Sequence, residues 1–395
     1  MQPPVIGLFY WTLFIIVCLC MVTTSSSCSS TTRRVGLKGE PLIVLPLSDY
    51  NNFYYTVNAH FGTDKSNTFK LLVNTNGGFL TVTSSKCGWQ CWKHPKYDSS
   101  KSKTYKPDGR NVEWDIGEFQ FYGILANDQL ALLADDNSEA VLVKNVTFAE
   151  LVKSSDSLEE SYLQYDGLLG LSLIPEPSAN NVFSFPSLIS YLVNQQLISQ
   201  RIFSVYLSEF LNVNQQHQKG KGALVLGGYS SDYYVGDVKF YPIPSDAAHW
   251  SFEFDGLKVN GKLFQNLGCG IGYKKKCMAQ LDTSAFTIFT DSYTYSNLQI
   301  GANVSIPADC SQIKLTSIPT FSFVIGGNDY VIKPQDFVIE NKAPVFGQLV
   351  CQGAINQADG LQQGEWIFGA VFQSIFYTIY DQQNGRIGLA TAKHN

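Results

Sequence analysis

The chain has 395 residues, 45% of them hydrophobic and 15% charged, with 28 basic against 33 acidic side chains and a formal net charge of −5. That length suggests two or three domains, and the composition supplies a sizeable core and excludes a disordered chain. A mildly acidic chain lacks the concentrated basic face that nucleic-acid binding needs. Thirty-two glycines, 21 tyrosines and 26 phenylalanines favour strands and turns over helical bundles or coiled coils.

In chain order, Val5 to Val22 is almost wholly apolar and uncharged and is followed by small residues from Thr23 to Ser27. This reads as a secretory signal over 1–27, cleaved near Ser25 to Cys28. The leading segment carries no Lys or Arg, and the apolar run is nearly long enough to span a bilayer, so a retained anchor is the rival. A short N-terminal segment, 28–44, comes next. Outside the signal region six cysteines remain: Cys87, Cys91, Cys269, Cys277, Cys310 and Cys351. An even number in a secreted chain suggests three bridges, and the short separations in Cys87/Cys91 and Cys269/Cys277 favour local loops. The paired C-x-x-C spacing of a zinc site is absent, and no metal or cofactor is expected. Sequons at Asn145 and Asn303 fit the same oxidising compartment.

Strands are expected at Phe53 to Phe61, Phe69 to Val73, Phe79 to Val82, Phe119 to Leu125 and Ala223 to Leu226. Others follow at Val238 to Ile243, Phe252 to Val259, Thr320 to Ile325 and Ile375 to Tyr380. Helical candidates are few: Phe185 to Gln195 has apolar residues at helical spacing, and Pro334 to Phe337 can open a turn. The chain also repeats itself. Leu71 to Leu80 (LLVNTNGGFL) and Ala279 to Phe289 (AQLDTSAFTIF) are each an apolar strand, a polar-Thr turn and a second apolar strand. Tyr165 to Leu171 (YDGLLGL) and Glu365 to Phe372 (EWIFGAVF) each put two large apolar residues before a glycine. The same pair in the same order implies a duplicated, two-lobe, all-β protein, with lobes at 45–230 and 231–395.

At these residues the chain resembles the pepsin-like aspartic proteases, from about Leu45 to Ala392. Tyr165-Asp166-Gly167-Leu-Leu-Gly-Leu, Phe203-Ser-Val-Tyr-Leu, Gly227-Gly228, Val259-Asn260-Gly261, Trp366-Ile-Phe-Gly and Arg386-Ile-Gly-Leu-Ala follow in family order. The resemblance implies a cleft between the lobes and bridges Cys87–Cys91, Cys269–Cys277 and Cys310–Cys351. It also implies two facing carboxylates, one from each polar-Thr turn. Like charges about 3 Å apart cannot both ionise, so such a pair shares one proton and works as base and acid together.

The second turn holds its aspartate, Asp282-Thr283-Ser284-Ala285, but the first reads Asn74-Thr75-Asn76-Gly77. An amide has neither a basic oxygen nor an exchangeable acid proton at useful pH. Asp282 is therefore read as retained without a catalytic partner, and Asn74 as a structural amide bonded to it. Other departures accompany this one. Asn76 and Ser284 replace the family glycines; Asn76 could keep a turn that needs positive φ, whereas Ser284 is hard to place. Gly77 and Ala285 stand where supporting hydroxyls are expected, Ile116 at the flap tyrosine, Thr81 at its tryptophan partner, and Ala370 at a usual aspartate. Thr75 and Thr283, which cross-brace the lobes in the family, are kept and with Ile116 line the cleft.

These residues give a secreted or extracellular monomer that binds a peptide, protein or other ligand without cleaving it. Two alternatives stay open: an aspartic endopeptidase with weak or unusual chemistry, and a structural secreted or surface protein. A membrane-anchored, secretory-pathway or lysosomal location is the alternative to secretion.

Overall fold

The computed structural model describes residues 42–50, 53–116, 119–155, 164–173, 186–208, 222–302, 306–342 and 349–394, all within one compact unit, 33–395. The apolar N-terminal segment and the sequon at Asn303 lie outside them. Strands dominate. The strand Phe69–Asn74 is buried at every position but Lys70, and Gly167–Gly170 is buried throughout. They pair in parallel, Leu71 opposite Gly167 and Asn74 opposite Gly170. A parallel strand covered on both faces reads as a continuous apolar run, which is why both segments stand out in the sequence.

The second repeat builds the same unit. Cys277–Leu281 runs parallel to Glu365–Phe368, with Leu281 opposite Phe368. Each glycine after the apolar pair is required sterically. A Cβ on Gly170 would sit 2.6 Å from backbone atoms of Gly78 and Phe79, and one on Gly369 would sit 2.1 Å from the Thr287 carbonyl. Neither distance is physical, so both strands slip past the opposite turn only as glycine.

One sheet of thirteen strands takes members from both ends of the chain: Tyr234–Pro242, Arg386–Ala392 and Phe376–Asp381 continue into Ile202–Tyr206, Gly222–Leu226 and Ile43–Tyr50. Behind the second turn the core is aromatic. Phe323 packs edge-on against Trp366 with centroids 5.4 Å apart, and Phe368 lies 4.4 Å from Phe372. Such pairs contribute about 0.5–1.5 kcal/mol each beyond their buried area.

Several elements differ from expectation. The strand expected at Phe119 to Leu125 runs on to Leu133, pairing with Lys106–Ile116 on one side and Glu139–Ser154 on the other. The strand expected from Phe252 to Val259 is two, Ser251–Phe254 and Gly256–Val259, broken at Asp255, whose carboxylate takes the Gly327 N–H at 3.0 Å. A helix, Ser292–Gly301, forms where none was expected, started by Asp291 accepting the Thr294 N–H at 3.0 Å. The helix expected over Phe185 to Gln195 is Leu188–Asn194, and Pro334–Phe337 is a single turn. The bridges Cys87–Cys91, Cys269–Cys277 and Cys310–Cys351 are all formed.

Candidate active site

The two polar-Thr turns meet through their threonines. The Thr75 N–H donates to Thr283 Oγ1 at 3.1 Å, and the Thr283 N–H donates to Thr75 Oγ1 at 3.0 Å. Each hydroxyl then donates across to the other strand: Thr75 to the Leu281 carbonyl at 3.3 Å, Thr283 to the Val73 carbonyl at 2.6 Å. Both threonines are fully buried. At about 0.5–1.5 kcal/mol per bond, this reciprocal set is a strong clamp between segments more than 200 residues apart.

Asn74 and Asp282 each precede one of these threonines, and both are buried. Asn74 Oδ1 accepts the Asn76 N–H at 2.9 Å and the Gly77 N–H at 2.7 Å. Asp282 Oδ1 accepts the Ser284 N–H at 2.8 Å. Both turns therefore bond the amide two residues on, and that bond needs only an oxygen acceptor. An amide oxygen supplies it as well as a carboxylate does, so the turn at Asn74 keeps its form without its charge.

Three sequence expectations are corrected here. Neither Asn76 nor Ser284 takes positive φ, so Ser284 fits without backbone strain. Nor is Asp282 without a hydroxyl: Ser284 Oγ donates to Asp282 Oδ1 at 2.6 Å, supplying from one position earlier what Ala285 does not. The Asn74 side chain is not hydrogen-bonded to Asp282; its amide oxygen turns into its own loop. The Asn76 side chain accepts from Gln280 Nε2 at 2.8 Å, so it lies across the junction between the turns. A glycine there would leave that space open.

Asp282 Oδ1 thus accepts two hydrogen bonds, from the Ser284 hydroxyl and the Ser284 amide, out of the about four lone-pair sites that a carboxylate offers. Burial nevertheless dominates its ionisation and holds the Asp282 carboxyl above the ordinary aspartate range, with hydrogen bonding from Ser284 opposing.

The hairpin of Lys106–Ile116 and Phe119–Leu133 carries Ile116 at its turn end, opposite Phe119; the Ile116 side chain is outside what is described. Two residues earlier is a group the sequence reading missed. Trp114 is buried, stacks on Phe121 with centroids 5.6 Å apart and an interplanar angle of 14°, and lies 5.9 Å from Phe79. Gly123 admits it, since a Cβ there would come within 2.9 Å of the indole. Trp114 and Thr81 line the same small pocket, so an indole fills space beside the position where threonine replaces the expected tryptophan. Thr81 itself is buried and accepts the Leu168 N–H at 3.0 Å. The only signal for Trp114 was its in-phase spacing with Val112 and Ile116 along a strand. Ala370 is buried and donates its N–H to the Ala285 carbonyl at 2.7 Å. Cys310, Glu340 and Cys351 lie close enough together to suggest a metal site, but the two sulfurs are bonded to each other.

A family model for eukaryotic aspartyl protease matches residues 54–392. The chain belongs to that family. Its architecture is the mainly β, two-lobe pepsin-like fold. Among relatives, cathepsin D of Bos taurus is 30% identical over 360 residues, covering 88% of this chain and 86% of the relative. Cathepsin E-A of Xenopus laevis is 29% identical over 378 residues, covering 94% and 85%. Vacuolar protease A of Neurospora crassa is 28% identical over 355 residues, covering 88% and 81%. No helix among the described residues is long and apolar enough to cross a membrane.

Proposed function

We propose that this aspartyl protease family member does not hydrolyse peptides, and that it retains the cleft as a binding site for a peptide or protein segment. The observation that carries the reading is Asn74, a buried amide where the repeat calls for the first carboxylate, with its oxygen turned into its own loop. Hydrolysis needs one group to take a proton from water and another to give one to the scissile carbonyl. Asn74 can do neither. Asp282 is left with no second carboxylate with which to share a proton. The threonine clamp and both glycine-dependent strand crossings are intact, which preserves the junction on which a bound segment would rest.

The compartment belongs to the same proposal: an exported protein of the secretory pathway, with 1–27 removed and a glycan at Asn145. Asn145 is exposed, as the modification requires. The test is a mass-spectrometric peptidase screen from pH 2.5 to neutrality, run beside binding to immobilised pepstatin, a mimic of the family's transition state. Retention on the resin without product peptides is expected. Pepstatin-sensitive cleavage by protein free of contaminating proteases would overturn the reading, and failure to bind the mimic or any peptide would leave a structural protein in its place.

A further inference from the structure

Aligning the two turns on Asn74 and Asp282 sets Gly78 against Phe286, each four residues on. The reciprocal threonine bonds relate the turns by an approximate two-fold axis, so equivalent residues fall on opposite sides of it. One side of the junction therefore has a glycine where the other has a phenylalanine. The Phe286 ring reaches across to the first half of the chain: its centroid lies 5.1 Å from that of Phe53, with an interplanar angle of 46°. Phe53 stands in the turn between Ile43–Tyr50 and Tyr54–Phe61. Both rings are half-buried, whereas Thr75 and Thr283 are fully buried, so the pair lies on the solvent side of the clamp.

Each ring stands on a held backbone. The Phe53 N–H donates to the Tyr50 carbonyl at 3.0 Å, and the flanking Tyr50 and Tyr54 rings stack 4.9 Å apart. The Phe286 carbonyl accepts the Val371 N–H at 3.0 Å, and Phe289 meets the Phe286 ring edge-on at 6.3 Å. The contact between the rings is different in kind. The clamp binds backbone amides and carbonyls and fixes the floor of the junction. The ring pair joins side chains alone, so a change of rotamer parts it while the clamp stays closed.

We propose that Phe53 and Phe286 form a strap that holds one end of the cleft shut, and that a peptide must part the two rings before it lies along the cleft's full length. This rests on the reading of the cleft as a peptide-binding site. Only the fraction of molecules with the rings apart then receives such a ligand, and the apparent dissociation constant is raised by the inverse of that fraction. An aromatic pair shifts such an equilibrium by about two- to tenfold. The opposite end, at Gly78, has no ring to part.

The experiment titrates pepstatin into the purified chain and follows its association, for the parent, Phe53→Ala, Phe286→Ala and the double variant. Each single variant should bind about two- to tenfold more tightly, through faster association. The double variant should bind no more tightly than either, because all three break one contact. Hydrogen exchange without ligand reads the strap directly: Phe53→Ala should speed exchange in 284–289, in the other half of the chain, by a similar factor. Each ring is removed separately, so a folding defect in one variant leaves the other as the test. Equal pepstatin binding by the parent and both single variants overturns the proposal. Weaker binding by the variants overturns it as well, since the rings would then be part of the ligand's seat, and so does unchanged exchange in 284–289. If no form binds pepstatin while exchange still rises, the strap stands and the peptide reading falls.

Discussion

Asn74 is the visible change at the candidate site, but Asn76 has the larger mechanical consequence. Restoring a carboxylate by Asn74→Asp would let the pair share a proton again. It would not remove the Asn76 side chain, which Gln280 holds across the junction between the turns. The single variant should therefore show at most a trace of acid peptidase activity. Asn74→Asp with Asn76→Gly should exceed it by about tenfold or more, within the 10²–10⁴-fold that a positioned acid or base contributes. A fluorogenic peptide assay at acid pH decides this; equal rates for the two variants would remove Asn76 from the account. Asp282 offers a second test. Its carboxyl is held above the ordinary aspartate range by burial, so the folded chain binds that proton more tightly than the unfolded chain does. The resulting stabilisation is fully present below the unfolded value near 4 and is lost as pH rises through the folded value. Asp282→Asn keeps an oxygen acceptor for the Ser284 donors and cannot ionise. Its melting temperature relative to the parent should rise between pH 3 and pH 7; a constant or falling difference would mean that the ion is not disfavoured in the folded state.

At the level of elements, the duplicated crossing is the part of the fold most legible in the sequence. The strands of its first copy are buried on both faces, those of its second alternate buried and half-buried positions, and its glycines cannot be anything else. Gly369→Ala would bring a methyl against the Thr287 and Ala285 carbonyls, and Gly170→Ala against the Gly78–Phe79 backbone. Overpacking of this kind destabilises by about 1–3 kcal/mol. Urea unfolding should show a loss in that range or greater for both variants, whereas parent-like midpoints would imply that the crossings can open. Elements with mixed faces were harder to read. The helix Ser292–Gly301 buries only Thr294 and Leu298, so no apolar stripe marks it, and its one clear signal was the capping Asp291. The strand Glu139–Ser154 has charged and polar interruptions and is set by its long pairing with Phe119–Leu133. At the site, the replacement of an aspartate by Asn74 was legible from the repeat. The Asn76 bridge was not, because its direction depends on a glutamine 204 residues away. The hydroxyl of Ser284 was missed for a related reason: the expectation fixed donors to one position, while the carboxylate accepts from whichever neighbour reaches it.

Across the whole molecule, the long sheet and the threonine clamp hold distant parts of the chain together, whereas the three bridges act inside short stretches. Their contributions should differ with the length of chain that each closes. Cys87–Cys91 spans 4 residues and Cys310–Cys351 spans 41. Constraining the unfolded chain stabilises by an amount that grows with the logarithm of loop length, which makes the longer bridge worth about 2 kcal/mol more. Its setting adds to this. Cys310 begins the 3₁₀ turn Cys310–Gln312, and the Cys351 N–H donates to the Ala308 carbonyl at 3.0 Å, so the bridge secures the strand Leu349–Gly353 to that turn. Cys310→Ser with Cys351→Ser should therefore lower the urea midpoint more than Cys87→Ser with Cys91→Ser. The shorter bridge should instead show its effect locally, in the placement of Trp89 and Trp92. Matched unfolding curves and tryptophan fluorescence spectra on the two double variants separate these roles: the first should lose stability and keep the parent spectrum, the second the reverse. If the short bridge proves the more stabilising, loop closure does not govern its contribution, and the turn Trp89–Cys91 is part of what holds the folded lobe together.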